Sequence, residues 1–458
     1  MKWATLVIPG LVAVAGLARA QTCSNIGPDA IIGEITGTFN VAAVAGLDAA
    51  SLGTYTCNIG DVSIVCRGDN TNRHPVQGQN LFRLSVLDGA SRFEQLGQAW
   101  LFHHFFELSD NLCCPDCVPP VQAGDLGAHC ATPDSAGSTA FRGSMGPKRQ
   151  VNAATAVFPY PPANPPYNGD LARRLRFRVA DVDPALNPGA LFFGEVQILA
   201  ADDAAAGNAE NNASYRRCTV SVSNGNATVG VTGATQRSRA AIRAWKDNDP
   251  GVVGSEARVP GDGLFIAAAK ATDLGNGEWR YEYAVQNLNS DRSGASFAVP
   301  VSRLVTVTNI GFHDVDYLDG DGIGNVNFDG TDWPATHANG LLRWSTQPFA
   351  ENPNANALRW GTLYNFRFDA DSPPVVADGE IGLFKPGTIQ AVLAKSIPAP
   401  ETPPCRADFD DSGYVDGMDY DYFVQAFEAG DLAADFDGDG FLTGVDFDLF
   451  VVAFEAGC

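Results

Sequence analysis

Residues 405–458 repeat one pattern twice, an acidic loop followed by an apolar helix, displaced by 27 positions. The first copy opens Ala407-Asp408-Phe409-Asp410-Asp411-Ser412-Gly413-Tyr414-Val415-Asp416, and the second opens Ala434-Asp435-Phe436-Asp437-Gly438-Asp439-Gly440-Phe441-Leu442-Thr443. Ca²⁺ takes six to eight oxygen ligands, and a twelve-residue loop supplies them from positions 1, 3, 5, 7, 9 and 12. On that spacing the first loop offers Asp408, Asp410, Ser412, the Tyr414 carbonyl, Asp416 and Asp419. The second offers Asp435, Asp437, Asp439, the Phe441 carbonyl, Thr443 and Asp446. Gly413 and Gly440 fall at position 6, where the loop must turn sharply. Val415 and Leu442, at position 8, are expected to join the loops through a short apolar bridge.

Apolar residues recur behind each loop at helical spacing: Tyr420, Phe423, Val424 and Phe427, then Phe447, Phe450, Val451 and Phe454. Two helices are expected, each entered directly from its loop, because Pro403 and Pro404 precede the first loop and Gly430 the second. Asp, not the bidentate Glu of an EF-hand, stands at position 12 of both loops.

A duplicated calcium loop, one helix per loop and Asp at position 12 resemble the type I dockerin family, over 405–458 only. The resemblance implies two bound calcium ions and docking onto a cohesin-like or other cell-surface protein, most often to assemble polysaccharide-degrading enzymes. Gly417-Met418 and Gly444-Val445 lack the hydroxyl pair by which many dockerins engage cohesins. The paired termini of such modules also imply a Cys405–Cys458 disulfide.

Met1 to Ala20 carries Lys2, an apolar run from Leu6 to Leu17 and the small-x-small site Ala18-Arg19-Ala20, which reads as a signal peptide ending before Gln21. The expectation is a secreted or cell-surface protein. No later apolar run nears the ~20 residues that span a bilayer, and the ten cysteines would meet an oxidising compartment. The net charge of −23 disfavours nucleic acid and anionic membranes as partners. It is concentrated in 405–458, where twelve Asp and two Glu face one cation, Arg406.

With 48 Gly, 28 Pro and little helical periodicity, the body reads as mainly β. Strand-like runs at 174–179, 279–285, 304–308 and 363–368 each show one apolar face. Its length favours two β-sandwich-like domains, 21–166 and 167–388, broken at Pro161-Pro162-Ala163-Asn164-Pro165-Pro166. A Pro-rich linker, 389–404, would then lead to the small α module. Tyr281-Glu282-Tyr283 through Asn287-Leu288-Asn289-Ser290, and Gly311-Phe312-His313-Asp314-Val315, are similar to secreted β-rich proteins of planctomycete bacteria, a resemblance that implies no activity.

His74, His103, His104, Cys113, Cys114, Cys117, His129 and Cys130 could hold zinc or copper, since thiolate and imidazole suit both. Structural disulfides are the reading expected of an exported chain. Asp319-Gly320-Asp321-Gly322-Ile323-Gly324-Asn325-Val326-Asn327 imitates a third calcium loop, although Ile323 fills the fifth-position slot and Gly330 the twelfth. No nucleophile elbow, zinc-protease motif or phosphate loop occurs. The leading reading is a secreted β-rich binding or structural body tethered by a calcium-dependent module. The alternatives are a dockerin-tethered glycoside hydrolase or other polysaccharide-degrading enzyme, and a copper or zinc protein.

Overall fold

The strand Glu278–Asn287 alternates apolar and polar residues, yet both of its faces are buried. Successive strand residues point to opposite sides. Tyr281, Tyr283 and Val285 enter a core with Phe297, Trp344, Phe366, Phe368 and Ile381. Ala284, on the other side, joins Phe82, Phe93, Phe193 and Leu363. On that second face Glu282 is bound by Arg92 at 2.6 Å and Arg280 by Asp369 at 2.8 Å, as buried charge requires. The strand is thus the middle of a stack of sheets.

The structure, a computed structural model, describes residues 23–66, 74–103, 108–141, 145–161, 169, 171–403, 405–410, 412 and 414–457. The expected signal peptide, His104, Gly413 and Cys458 lie outside the described residues. The chain is mainly β with a small helical C-terminal unit.

The first layer is an antiparallel sheet whose main order is Ala30–Asn40, Leu47–Asn58, Leu175–Arg178, Ala90–Gln98, Val76–Leu87, Leu191–Leu199, Ala213–Ser223 and Asn226–Gln236. It rolls on itself. The Thr38 hydroxyl donates to the Val229 carbonyl at 2.6 Å, and Val229 N–H donates to the Asn40 carboxamide at 2.9 Å, joining first and last strands. Ile32, Ile35, Leu52, Leu81, Phe177, Phe192 and Val229 fill the interior.

Two five-stranded sheets complete the body. One is ordered Val253–Arg258, Leu264–Gly275, Glu278–Asn287, Thr362–Ala370, Val307–His313; the other Ala335–Ala338, Leu341–Ser345, Gly294–Pro300, Pro374–Leu383, Ala391–Pro400. They pack face to face as a sandwich around the aromatic core described above. The expected run at 304–308 is a turn until Val307, where its strand begins.

Two expectations are corrected. Residues 162–166 of the expected break lie outside the described residues, and the described strands on both sides of it belong to one domain, since they share the rolled sheet, which runs to Gln236. The 389–404 stretch is not a spacer: Ala391–Pro400 is a strand paired with Pro374–Leu383. Proline lacks the N–H a ladder needs and is confined to positions such as edge strands. This strand is an edge, with Pro398 opposite Val376 and Pro400 opposite Pro374.

The terminal unit holds helices Gly417–Ala429 and Gly444–Ala456. Phe423 and Phe450 are fully buried between them with Ala434, ringed by Phe409, Phe427, Phe436, Phe447 and Phe454. Among the described residues no helix is long and apolar enough to cross a membrane.

Candidate metal centre

Each terminal helix is started by its own loop. Asp416 accepts from Met418 N–H at 2.8 Å, and Thr443 from Val445 N–H at 3.1 Å. Asp419 and Asp446, both buried, reach back to close capping boxes. Asp419 accepts the N–H groups of Phe409 (2.6 Å), Asp410 (3.1 Å) and Asp416 (2.8 Å). Asp446 accepts those of Phe436 (2.8 Å), Asp437 (3.2 Å) and Thr443 (2.7 Å). One carboxylate per copy therefore ties its loop to its helix. Burial pushes the Asp419 carboxyl up, but these N–H groups prevail and hold it below the usual carboxylate range.

In the first loop, oxygens of Asp408, Asp410 and Asp419 lie within 4.8 Å of one another; in the second, those of Asp435, Asp437 and Asp439 do. Ser412 N–H donates to Asp408 at 2.9 Å, and the Ser412 hydroxyl to the Tyr414 carbonyl at 3.2 Å, which brings positions 5 and 7 to the same side. Asp435 accepts from Gly438 and Gly440 N–H at 2.8 Å each, and Asp439 from Phe441 N–H at 2.8 Å. Gly440 has φ 86°, a left-handed turn that disfavours a side chain. Asp416 and Thr443 serve as helix caps, outside the carboxylate groups. No backbone bridge joins Val415 to Leu442 among the described residues; Leu442 packs on the aromatic cluster instead.

The donors are all oxygens, as a hard divalent cation prefers. At Asp437, the Asp439 N–H lowers the pKa, yet burial and the carboxylates of Asp439, Asp446 and Asp435 outweigh it and hold the group above its ordinary value. Arg406, the module's one basic side chain, does not answer this charge. Its guanidinium lies 4.5 Å over the Phe436 ring and donates to the Asp435 carbonyl at 2.8 Å. That role was signalled in sequence only by its being the sole cation among fourteen acids.

The zinc or copper reading loses its thiolates. Cys114 is bonded to Cys23, Cys113 to Cys57 and Cys117 to Cys130. His74 and His103 face each other, Nε2 to Nδ1 at 2.6 Å, against Phe158. Burial, then His74, pushes His103 down to about 4, so it is neutral near pH 7. His129 lies 3.1 Å from Asp116. Cys405 is also disulfide-bonded; its expected partner, Cys458, is outside the described residues.

The 319–327 loop is pinned from within. Asp321 is buried and accepts from Trp100 Nε1 at 2.5 Å and Leu318 N–H at 2.7 Å, while Asp319 pairs with Arg176 at 3.4 Å. Among the described residues, three or more metal-capable side chains converge only in the terminal loops.

No family model matches the chain, and no curated protein does. Among solved structures, the N-terminal domain of a Streptococcus gordonii adhesin aligns over 83% of this chain and 98% of its own, at 7% identity and a TM-score of 0.19, too low to bear on fold or function.

Proposed function

We propose that residues 405–458 bind two calcium ions and attach the β-rich body to a cohesin-type or other surface protein, as the dockerin resemblance implies. The observation that supports this most is the pair of carboxylate groups, Asp408/Asp410/Asp419 and Asp435/Asp437/Asp439, on loops tied to equivalent helices. Ser412, the Tyr414 and Phe441 carbonyls, and the second oxygens of Asp419 and Asp446 would complete the shells, with Asp416 and Thr443 at their rims. A bound cation neutralises like charges that otherwise repel across a few ångströms, so binding and folding of the module are coupled.

The test is titration calorimetry of the EDTA-stripped full chain with Ca²⁺. Two sites are expected, falling to one in Asp408→Ala/Asp410→Ala and to none when Asp435→Ala/Asp437→Ala is added. Absence of binding to the wild type overturns the calcium reading. Capture of a cohesin domain in Ca²⁺ but not in EDTA supports attachment, and failure with both ions bound refutes it.

A further inference from the structure

The seam between the rolled sheet and the sandwich holds a lysine that the calcium module does not explain. Lys148 follows the short strand Met145–Gly146 and sends its ammonium inward, where Nζ donates to Asn80 Oδ1 (3.1 Å), Gln98 Oε1 (3.1 Å) and the Gly361 carbonyl (3.0 Å). All three acceptors are neutral. Gly361 has no side chain to obstruct the approach; a Cβ there would meet Nζ at 3.0 Å. Burial pushes the Lys148 pKa down to about 8, with Asp321 and Glu195 pulling partly against it, so about a tenth of the side chain is neutral amine at pH 7, far more than for an exposed lysine.

Asn80 is held from its other end. It lies directly opposite Glu195 on the neighbouring strand, and its Nδ2 donates to Glu195 Oε1 at 2.8 Å. Glu195 is fully buried and fixed by Gln286 Nε2 (2.9 Å) and Ala241 N–H (2.6 Å). A nucleophile therefore stands at the oxygen of one carboxamide, and a carboxylate at the nitrogen of the same carboxamide.

We propose that Lys148 and Asn80 form an intramolecular isopeptide bond, with Glu195 as its catalytic acid–base. The Lys148 amine attacks Asn80 Cγ; the Nζ–Cγ bond forms, the Cγ–Nδ2 bond breaks, and ammonia leaves. Glu195 accepts a proton given up by Nζ and returns one to the departing Nδ2, ending as it began, so no oxidant or co-reactant is needed. Fixing the amine against the carboxamide replaces the concentration that an intermolecular aminolysis lacks. Gln98 is equally near Nζ, but its Nε2 donates to the Asp316 carbonyl at 3.1 Å, which cannot protonate a leaving group. The acid singles out Asn80. The bond would close a loop of 68 residues.

Tryptic mapping of the folded, then reduced, full chain tests this. Residues 74–83 and 143–149 are expected as one branched peptide, lighter than their sum by one ammonia and uncut at Lys148. In Lys148→Arg, and in Glu195→Gln purified with wild-type circular dichroism, they separate. Intact mass alone does not decide, because a chain beginning at Gln21 also loses ammonia when that residue cyclises. Separate 74–83 and 143–148 peptides from the wild type overturn the proposal, as does a branch to 93–142, which contains Gln98.

Discussion

Phe423 and Phe450 stack with ring centroids 3.8 Å apart and planes 3° from parallel. They are the same residue of the two copies, and the contacts around them repeat: Phe409 meets Phe423 at 5.6 Å as Phe436 meets Phe450 at 5.8 Å, and Tyr420 meets Phe454 at 5.7 Å as Phe427 meets Phe447 at 5.8 Å. The module is a pseudo-two-fold pair whose axis passes between the two rings.

Phe423→Ala and Phe450→Ala should therefore cost alike, about 3–5 kcal/mol each, the range for emptying a buried aromatic site. Thermal denaturation of the module's helical signal in saturating Ca²⁺ measures it. A large inequality between the two would contradict the symmetry of the core.

The caps differ in chemistry but not in role. Asp416→Ala and Thr443→Ala should each lower helix stability by about 1 kcal/mol, read as a lower midpoint in urea at fixed Ca²⁺. Asp419→Asn should be worse than either, since the carboxylate serves three N–H groups.

Arg92 and Glu282 clamp the rolled sheet to the sandwich, with Nε to Oε2 at 2.9 Å and an Nη to Oε1 at 2.6 Å. Glu282→Leu leaves the buried Arg92 guanidinium only Glu94, at 3.8 Å, and should cost about 3–5 kcal/mol, whereas adding Arg92→Leu should recover much of it. Chemical denaturation of the single and double variants distinguishes this from simple loss of packing, which would make the double variant worse.

Asp203 sets a pH limit on the body. Buried and accepting from Asn212 Nδ2 (2.8 Å) and Ala30 N–H (2.9 Å), it is pushed up to about 7, chiefly by burial. A carboxyl raised on folding contributes stability that is whole below the unfolded value of 3.8 and is lost as the pH rises through about 7. The wild-type melting temperature should fall across that window relative to Asp203→Asn, whose neutral amide has no such titration. Parallel pH profiles for the two proteins would refute it.

If the module docks as proposed, its two surfaces should contribute unequally. Val445, Leu449 and Val452 are 54%, 41% and 66% exposed on the second helix, where the first presents Met418, Tyr422 and Gln425. Buried apolar area drives association, so Leu449→Asp should weaken cohesin-domain capture more than Tyr422→Asp. The reverse order would place the contact on the first helix.

What could be read from the sequence followed from locality. The clustered carboxylates of the two loops and the helices at Gly417 and Gly444 depend on residues a few positions apart, where spacing alone places them. The break at 161–166 misled because the strand Leu175–Arg178 pairs with Leu47–Asn58, across more than a hundred residues of intervening chain. Pairing at that range leaves no periodicity to detect. Prolines at 398 and 400 suggested an extended spacer, since the same backbone angles serve a spacer and an edge strand. Lys148, Asn80 and Glu195 have no mutual spacing that sequence could reveal; only the register of three distant segments gathers them.

The strand Ala391–Pro400 has a mechanical consequence. Glu401 is still held, its N–H donating to the Pro373 carbonyl at 2.8 Å and its own carbonyl accepting from Ser372 Oγ at 2.7 Å. Only Thr402, Pro403 and Pro404 separate it from Cys405. Fully extended, that stretch spans about 14 Å, against about 50 Å for a sixteen-residue polyproline spacer. Whatever grips the module holds the body on a short leash, and a pull on it loads the edge ladder of the sandwich almost directly.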